Sequence, residues 1–425
     1  MTSGNTHDTR PHVVIVGGGF GGLAAARELA SEQVRITLID RNNHHVFQPL
    51  LYQVATAGLA PSDITVPIRW RLRSQKNTTV LLGEVTAIDP AARVIKLSGE
   101  PNEISYDFLI VAAGARHGYF GHPEWEKDAP GLKSMQDAHD IRQRFLLAFE
   151  HAEVALTDDE RNAALTFVVI GGGPTGVELA GAMVEMAHGK LYREFRQSDP
   201  RKARVILIEA GPRILPTFPE GLATKARAAL EHLGAEISLG AAVTKVEAGA
   251  VWLDERQIRA ETVVWAAGNV ASFLGAQLGA PVDRAGRVKV EPDLSVPGHP
   301  EVYVVGDLCY VERADGRPVP GVAPTANQTG AHAAKMIIST LRARPHSPFR
   351  YFNKGELATI GRSKAVAAFG KLHLSGTLTW LLWLFVHLLY LVGFRNRLSV
   401  LIQWGYAYLT YQRGVRIISN SRHPT

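Results

Sequence analysis

The chain has 425 residues, a formal net charge of +6 and one cysteine, Cys309. That length carries two or three domains, each with its own core. A single cysteine excludes a disulfide framework, a multi-cysteine iron–sulfur or zinc site, and any redox relay through paired thiols.

Residues 1–10 are polar and lack the apolar stretch of a secretory signal, so the expectation is a disordered start and a cytoplasmic chain. From 11 to 115 the pattern reads β-α-β followed by shorter strands. The run His12–Val16 leads into Gly17, Gly19 and Gly22, which open a helix, and the next strand ends in Asp40. Phe108–Val111 runs into the small-residue turn Ala112-Ala113-Gly114. Residues 130–155 read as a helical connection, and 165–268 repeat the plan. There Phe167–Ile170 leads into Gly171, Gly173 and Gly176, the next strand ends in Glu209, and Thr262–Trp265 runs into Ala266-Ala267-Gly268.

One G-x-G-x-x-G is a weak signal, but both copies have the preceding strand, the following helix and the acid. The glycines permit a tight turn and close approach to a pyrophosphate, which the helix N-terminus holds. The acid accepts hydrogen bonds from the adenosine ribose. Two such units bind two dinucleotides, which implies electron transfer between them. The paired Ala-Ala-Gly turns either pass close to a bound cofactor or simply end their strands.

Residues 300–341 return to the first domain. Glu301–Val305 is a strand ending in Gly306-Asp307, and a helix starts near Pro324-Thr325. Residues 351–371 read as short strands, and the tail from 372 reads as helical and aromatic. After Glu356 the sequence has no acid, while Arg362, Lys364, Lys371, Arg395, Arg397, Arg413, Arg416 and Arg422 add +8, leaving −2 for the rest. A basic balance confined to an apolar, aromatic tail suits an anionic membrane surface better than nucleic acid. Leu378–Phe394 is at the low limit for a span, which needs about 20 apolar residues. Arg395 and Arg397 follow it, then Trp404, Tyr406, Tyr408 and Tyr411. The expectation is an anchor lying in the leaflet through 372–418; a true span and a buried hairpin at a dimer interface are the alternatives. His44, His45, His332 and His387 have no ligand spacing, so no metal is expected.

Three further stretches narrow the reading: Phe47–Gly58 after the first acid, Gly173–Gly181 with Glu178 inside it, and Gly393–Arg397 with the aromatics beyond. With both glycine units, both Ala-Ala-Gly turns and Gly306-Asp307, the chain resembles the type II NADH:quinone oxidoreductases from residue 11 to about 418. The resemblance implies an α/β fold of two Rossmann-like dinucleotide-binding domains, an FAD domain with an inserted NADH domain, plus a C-terminal helical membrane-associating segment. The expected division is 11–130 with 285–350 for FAD, 150–284 for NADH, and 351–425 for anchoring and quinone access. Noncovalent FAD is expected on Gly17, Gly19, Gly22, Asp40, Ala113, Gly114 and Asp307. NADH as substrate is expected on Gly171, Gly173, Gly176, Glu209 and Gly268. A carboxylate at Glu209 repels a 2′-phosphate, which favours NADH over NADPH, although Arg213 softens the preference.

The resemblance further implies hydride transfer from NADH to FAD, then two-electron reduction of ubiquinone or menaquinone without proton pumping. It implies a homodimer on the cytoplasmic face of the cell membrane. Glu178, Gln328 and Lys371 are the expected catalytic residues at the quinone pocket. Glu178 is equally explained by the helix N-terminus, and Lys371 by a membrane edge. Tyr52 and Gln53 are weaker candidates, in a segment suited to covering a cofactor. One departure stands out. The family string Ala-Gln-x-Ala-x-Gln is Ala323-Pro324-Thr325-Ala326-Asn327-Gln328 here, so position 324 has no amide to offer. The rival readings are a soluble NAD(P)H-dependent reductase of a ferredoxin or rubredoxin, and a flavin redox sensor.

Overall fold

The computed structural model describes residues 9–313, 316–410 and 415–418. The expected disorder of 1–8, and Tyr411, Arg413 and Arg422, lie outside the described residues.

Along the chain the elements used below begin with β1 (His12–Val16), α1 (Phe20–Glu28), β2 (Arg35–Asp40), α2 (Leu51–Ala55), β3 (Thr78–Leu82) and β4 (Phe108–Val111). There follow α3 (Met135–Val154), β5 (Thr166–Ile170), α4 (Pro174–Ala187), β6 (Arg204–Glu209), β7 (Ala235–Leu239) and β8 (Thr262–Trp265). The chain closes with β9 (His299–Val304), α5 (Ala323–Leu341), β10 (Glu356–Thr359), β11 (Ala365–Phe369), β12 (Leu372–Gly376), α6 (Thr377–Tyr390) and α7 (Phe394–Thr410).

Internal contacts divide the chain into two units. The first holds the chain up to His45, Val66–Arg116 and Asn269–Asn353; the second holds Val46–Thr65, His117–Gly268 and Lys354 onward. The C-terminal stretch from Lys354 thus falls within the second unit. Residues 46–65 join that unit as well: α2 packs against α3 and α4, and α7 bonds Asp63 and Gln53 through its side chains.

In the first unit, five parallel strands run β9-β4-β1-β2-β3. β1 is apolar from Val13 to Val16 and buried at every position, as a central strand covered on both faces must be. The helices α1 and α5 approach backbone to backbone: a Cβ added at Gly330 would lie 2.1 Å from the Gly21 carbonyl oxygen.

The second unit repeats the arrangement with strands β7-β6-β5-β8, all parallel. In each unit the strand before the glycines lies between the strand that ends in the acid and the strand that ends in Ala-Ala-Gly. The match extends to single hydrogen bonds. Gly17 N–H donates to Ile39 O at 2.8 Å, as Gly171 N–H does to Ile208 O at 2.7 Å. Ala112 N–H donates to Val16 O at 2.8 Å, as Ala266 N–H does to Ile170 O at 2.7 Å.

The C-terminal part of the second unit is an antiparallel sheet, β10-β11-β12, followed by α6 and α7. Helix was expected from 372, but Leu372 pairs with Phe369 across the turn Gly370-Lys371, and the strand runs to Gly376. Gly376, at φ +99°, then redirects the chain into α6. The run Leu378–Phe394 is therefore not one helix: it breaks after Tyr390, with Gly393 at φ +92°. A 14-residue α6 spans about 21 Å, short of the ~30 Å hydrocarbon core. No described helix is long and apolar enough to cross a membrane.

Candidate active site

The glycines of each loop fall into two kinds. A Cβ at Gly17 would sit 2.3 Å from Ala112 O, and one at Gly22 would sit 1.8 Å from Gly17 O. The equivalents, Gly171 and Gly176, would clash with Ala266 backbone at 2.7 Å and with Gly171 O at 1.9 Å. Those four are glycine because the chain itself leaves no room. At Gly19 and Gly173, by contrast, nothing lies within 4 Å. No protein atom explains the missing side chain there, whereas a pyrophosphate lying against the helix start does.

Both acids hold their loop in the same way. Asp40 accepts from Gly18 N–H at 2.6 Å and from Asn42 N–H at 2.7 Å. Glu209 accepts from Gly172 N–H at 2.6 Å and from Gly211 N–H at 2.7 Å. Each carboxylate oxygen keeps a lone pair beyond these bonds, so each acid can still accept from a ribose hydroxyl. The residues present therefore fit one dinucleotide per unit.

In the first unit, Asp307 is partly exposed in the turn after β9, beside the start of α5. Pro324 occupies the first turn of α5, where a missing N–H costs nothing. Thr325 next to it is 2% exposed, and its Oγ1 has no hydrogen-bond partner among the described residues. An orphaned hydroxyl at a helix N-terminus beside Asp307 leaves a donor to spare for a bound group, which suits FAD on this unit. Ala113 and Gly114 lie partly exposed at the end of β4, with Gly114 at φ +65°.

In the second unit, Glu178 sits in the first turns of α4, reaching toward β10 and α6. Thr359 N–H donates to its Oε1 at 3.3 Å. Burial raises its pKa from 4.5 to about 8; the Thr359 N–H and the Trp383 indole pull the other way without prevailing. The residue as a whole keeps some accessible surface. Trp383 is 1% exposed and its Nε1 makes no hydrogen bond of ordinary geometry, which leaves a buried donor close to the acid. His387 stacks on Trp383 with ring centroids 4.1 Å apart and its Nδ1 bonds Trp383 O at 2.7 Å. Burial lowers the His387 pKa to about 4, so this ring is neutral at pH 7. Phe47 lies edge-on to His387 at 6.3 Å, and Trp404 flanks Trp383 at 5.8 Å. A protonated carboxyl among aromatic rings is an arrangement that can pass a proton to an apolar, ring-shaped acceptor.

The other expected residues lie elsewhere. Gln328, in the first unit, has its amide committed at both ends: Nε2 donates to Phe352 O at 3.0 Å and Phe352 N–H donates to Oε1 at 2.9 Å. It fastens an extended segment to α5, as a backbone pair would. Lys371 is exposed in the turn between β11 and β12. Gly268 is a turn at φ +69°, packed under Phe120 and the Gly118 carbonyl. Trp383 and His387 lie in the run that the sequence assigns to an anchor. The signal was present: Leu378, Leu381, Phe385 and Leu389 mark one helical stripe, and 383 and 387 fall on the opposite one.

Comparison with known proteins agrees with this geometry. Residues 11–330 match the family model described as pyridine nucleotide-disulphide oxidoreductase, and 353–411 match the NDH2 C-terminal domain. The type II NADH:quinone oxidoreductase NdhA of Mycobacterium tuberculosis is 47% identical, over 97% of this chain and 90% of that protein. The chain belongs to the type II NADH:quinone oxidoreductases. As a member it is an NADH-oxidising, quinone-reducing flavoenzyme that uses FAD. A second M. tuberculosis member, Ndh, is 45% identical over 97% of this chain and 91% of its own length. The fold is that of NDH2 from Plasmodium falciparum in complex with NADH, at TM-score 0.88 and 21% identity, covering 96% of this chain and 99% of that one.

Proposed function

We propose that NADH docks on the second glycine loop and that a membrane quinone is reduced beside Glu178, with no proton moved across the bilayer. The observation that carries this reading is the enclosed Glu178 carboxyl of α4, met by Thr359 N–H and the buried Trp383, where burial raises its pKa to about 8. FAD, when bound, supplies the two-electron relay between NADH and the quinone. Gly17, Gly19, Gly22, Asp40, Ala113, Gly114 and Asp307 would hold it. Glu209 would accept from the ribose of NADH and repel a 2′-phosphate. Quinone reduction takes up two protons, and Glu178 can give one of them and be refilled from solvent. Gln328 acts in this reading by fixing Phe352, and Lys371 as a basic group at the membrane edge.

Exposed apolar side chains on α6 and α7 support docking in the leaflet: Leu378 is 82% exposed, Phe394 81% and Leu409 80%. Burying each contributes about 1.5–3 kcal/mol, and Arg395 and Arg397 would meet lipid headgroups. The cytoplasmic face and a homodimer belong to the same proposal and rest on the family resemblance. The test is anaerobic: reduce the FAD-loaded protein with NADH, add a short-chain quinone, and follow flavin absorbance at about 450 nm. Rapid reoxidation, repeated on each addition of NADH, is expected. A flavin that bleaches and stays reduced would move the reading to a protein-acceptor reductase or a sensor.

A further inference from the structure

The helix α7 is amphipathic in the inverse sense of an ordinary surface helix. Phe394, Leu398, Leu401, Ile402 and Leu409 are exposed. The stripe toward the protein carries Asn396, Ser399, Gln403 and Trp404, spaced i, i+3, i+7 and i+8 so that all four share one face. Every one of them binds the segment 53–65 of the same unit. Asn396 Nδ2 donates to Thr65 O at 3.0 Å. Ser399 Oγ and Gln403 Nε2 donate to the two oxygens of Asp63, at 2.8 and 2.9 Å. Asp63 is 6% exposed, also accepts from Ala60 N–H at 2.7 Å, and has no basic partner among the described residues. A buried carboxyl so placed depends on these donors, since each one lost leaves it less solvated than water would.

The fourth bond reaches further. Trp404 Nε1 donates to Gln53 Oε1 at 2.8 Å, and Gln53 Nε2 donates to the Tyr52 hydroxyl at 3.0 Å. Gln53 is thereby held from both ends, one of them on α7. It belongs to α2, which packs against α4, the helix that carries Glu178. The Trp404 ring also flanks Trp383, the donor near that acid.

We propose that Gln53 is a positioning residue for quinone reduction, set in place by Trp404. In this role α7 is a strap as well as an anchor: its outer face takes lipid, and its inner face fixes α2 against the helix bearing Glu178. This inference rests on the quinone-reductase reading, because it supposes that the quinone is reduced beside Glu178.

The test uses the full-length, FAD-loaded enzyme and a short-chain benzoquinone, with the two half-reactions followed separately. Trp404→Phe keeps an aromatic ring while removing the N–H together with the five-membered ring that carries it; Gln53→Leu removes the acceptor at nearly constant volume. Each is expected to raise the quinone KM about fivefold to tenfold, the effect of one lost hydrogen bond. The rate of flavin reduction by NADH should stay within about twofold of the parent, and the double variant should be no worse than the poorer single one, because both remove the same bond. Multiplying effects in the double variant, equal slowing of both half-reactions, or unchanged quinone kinetics would overturn the proposal. If the parent enzyme itself is not reoxidised by quinone, the broader reading fails first, and the two failures are told apart.

Discussion

Replacing Glu178 by Gln keeps an oxygen to accept from Thr359 N–H while removing the titration. In the folded protein the carboxyl holds its proton to about pH 8, whereas in the unfolded chain it releases it near 4.5. Between those values the native state binds more protons, so this residue makes stability fall as pH rises, by about 1.4 kcal/mol per pH unit. The cost is absent below about pH 4.5 and complete above about pH 8. Across the window it reaches roughly 2–5 kcal/mol, the lower figure allowing for the side chain's residual solvent contact. At about 2 °C per kcal/mol for a unit of this size, Glu178→Gln should match the parent Tm near pH 5 and exceed it by roughly 4–10 °C near pH 9. The measurement is thermal unfolding of both proteins, saturated with FAD, in a series of buffers from pH 5 to 9. A Tm difference that is constant with pH, or one that turns against the variant as pH rises, would refute the argument that burial holds this carboxyl protonated.

Other outcomes follow from the same geometry. Gly19→Ala should fold and lose FAD affinity, measured by flavin retention, whereas Gly22→Ala should fail to fold, since its Cβ would lie 1.8 Å from Gly17 O. Gly173→Ala should raise the KM for NADH about tenfold or more while flavin content stays unchanged, read from steady-state kinetics. Glu209→Gln should raise the NADPH-to-NADH ratio of kcat/KM by about an order of magnitude, and an unchanged ratio would count against a ribose role. Phe385→Glu together with Leu401→Glu should weaken binding to phospholipid vesicles at least tenfold, with flavin reduction by NADH intact, because both side chains point outward at 64% and 52% exposure.

Much of the fold was legible because the glycine spacing, the strand before it and the acid after it are local signals that occur twice. The order of strands around β1 and around β5 follows from that repeat. The C-terminal part was harder. Leu372-His373-Leu374 has strand alternation, but it abuts a long apolar run that reads as helix, and only pairing with β11 decides the matter. Residues 46–65 follow the first glycine unit in sequence yet belong to the second unit in space. There α2 packs against α3 and α4, and Asp63 and Gln53 bond partners more than 300 residues away. No local pattern announces such bonds. Glu178 was legible by position in its motif, but its protonation was not, because that depends on enclosure by Thr359 and Trp383 from distant strands and helices. Gln328 shows the reverse: a residue type suited to holding a quinone carbonyl is spent on the backbone of Phe352.

The bonds that tie Glu209 to Gly172 and Gly211 have a consequence for how coenzyme choice can drift. The carboxylate that turns away a 2′-phosphate is also the post on which two loop backbones hang. A basic residue at 209 would open the door to NADPH and, in the same stroke, leave the Gly172 amide of the phosphate loop and the Gly211 amide beyond β6 without an acceptor, whereas Gln still offers one oxygen. Selection for a full reversal of coenzyme therefore cannot act through a change of charge at this one position alone. It has to find a second change, near 172 or 211, that props the loop by other means. Preference for NADH is in that sense guarded by the architecture of the turn, and lineages that abandon it should carry their compensation within a few residues of Gly211.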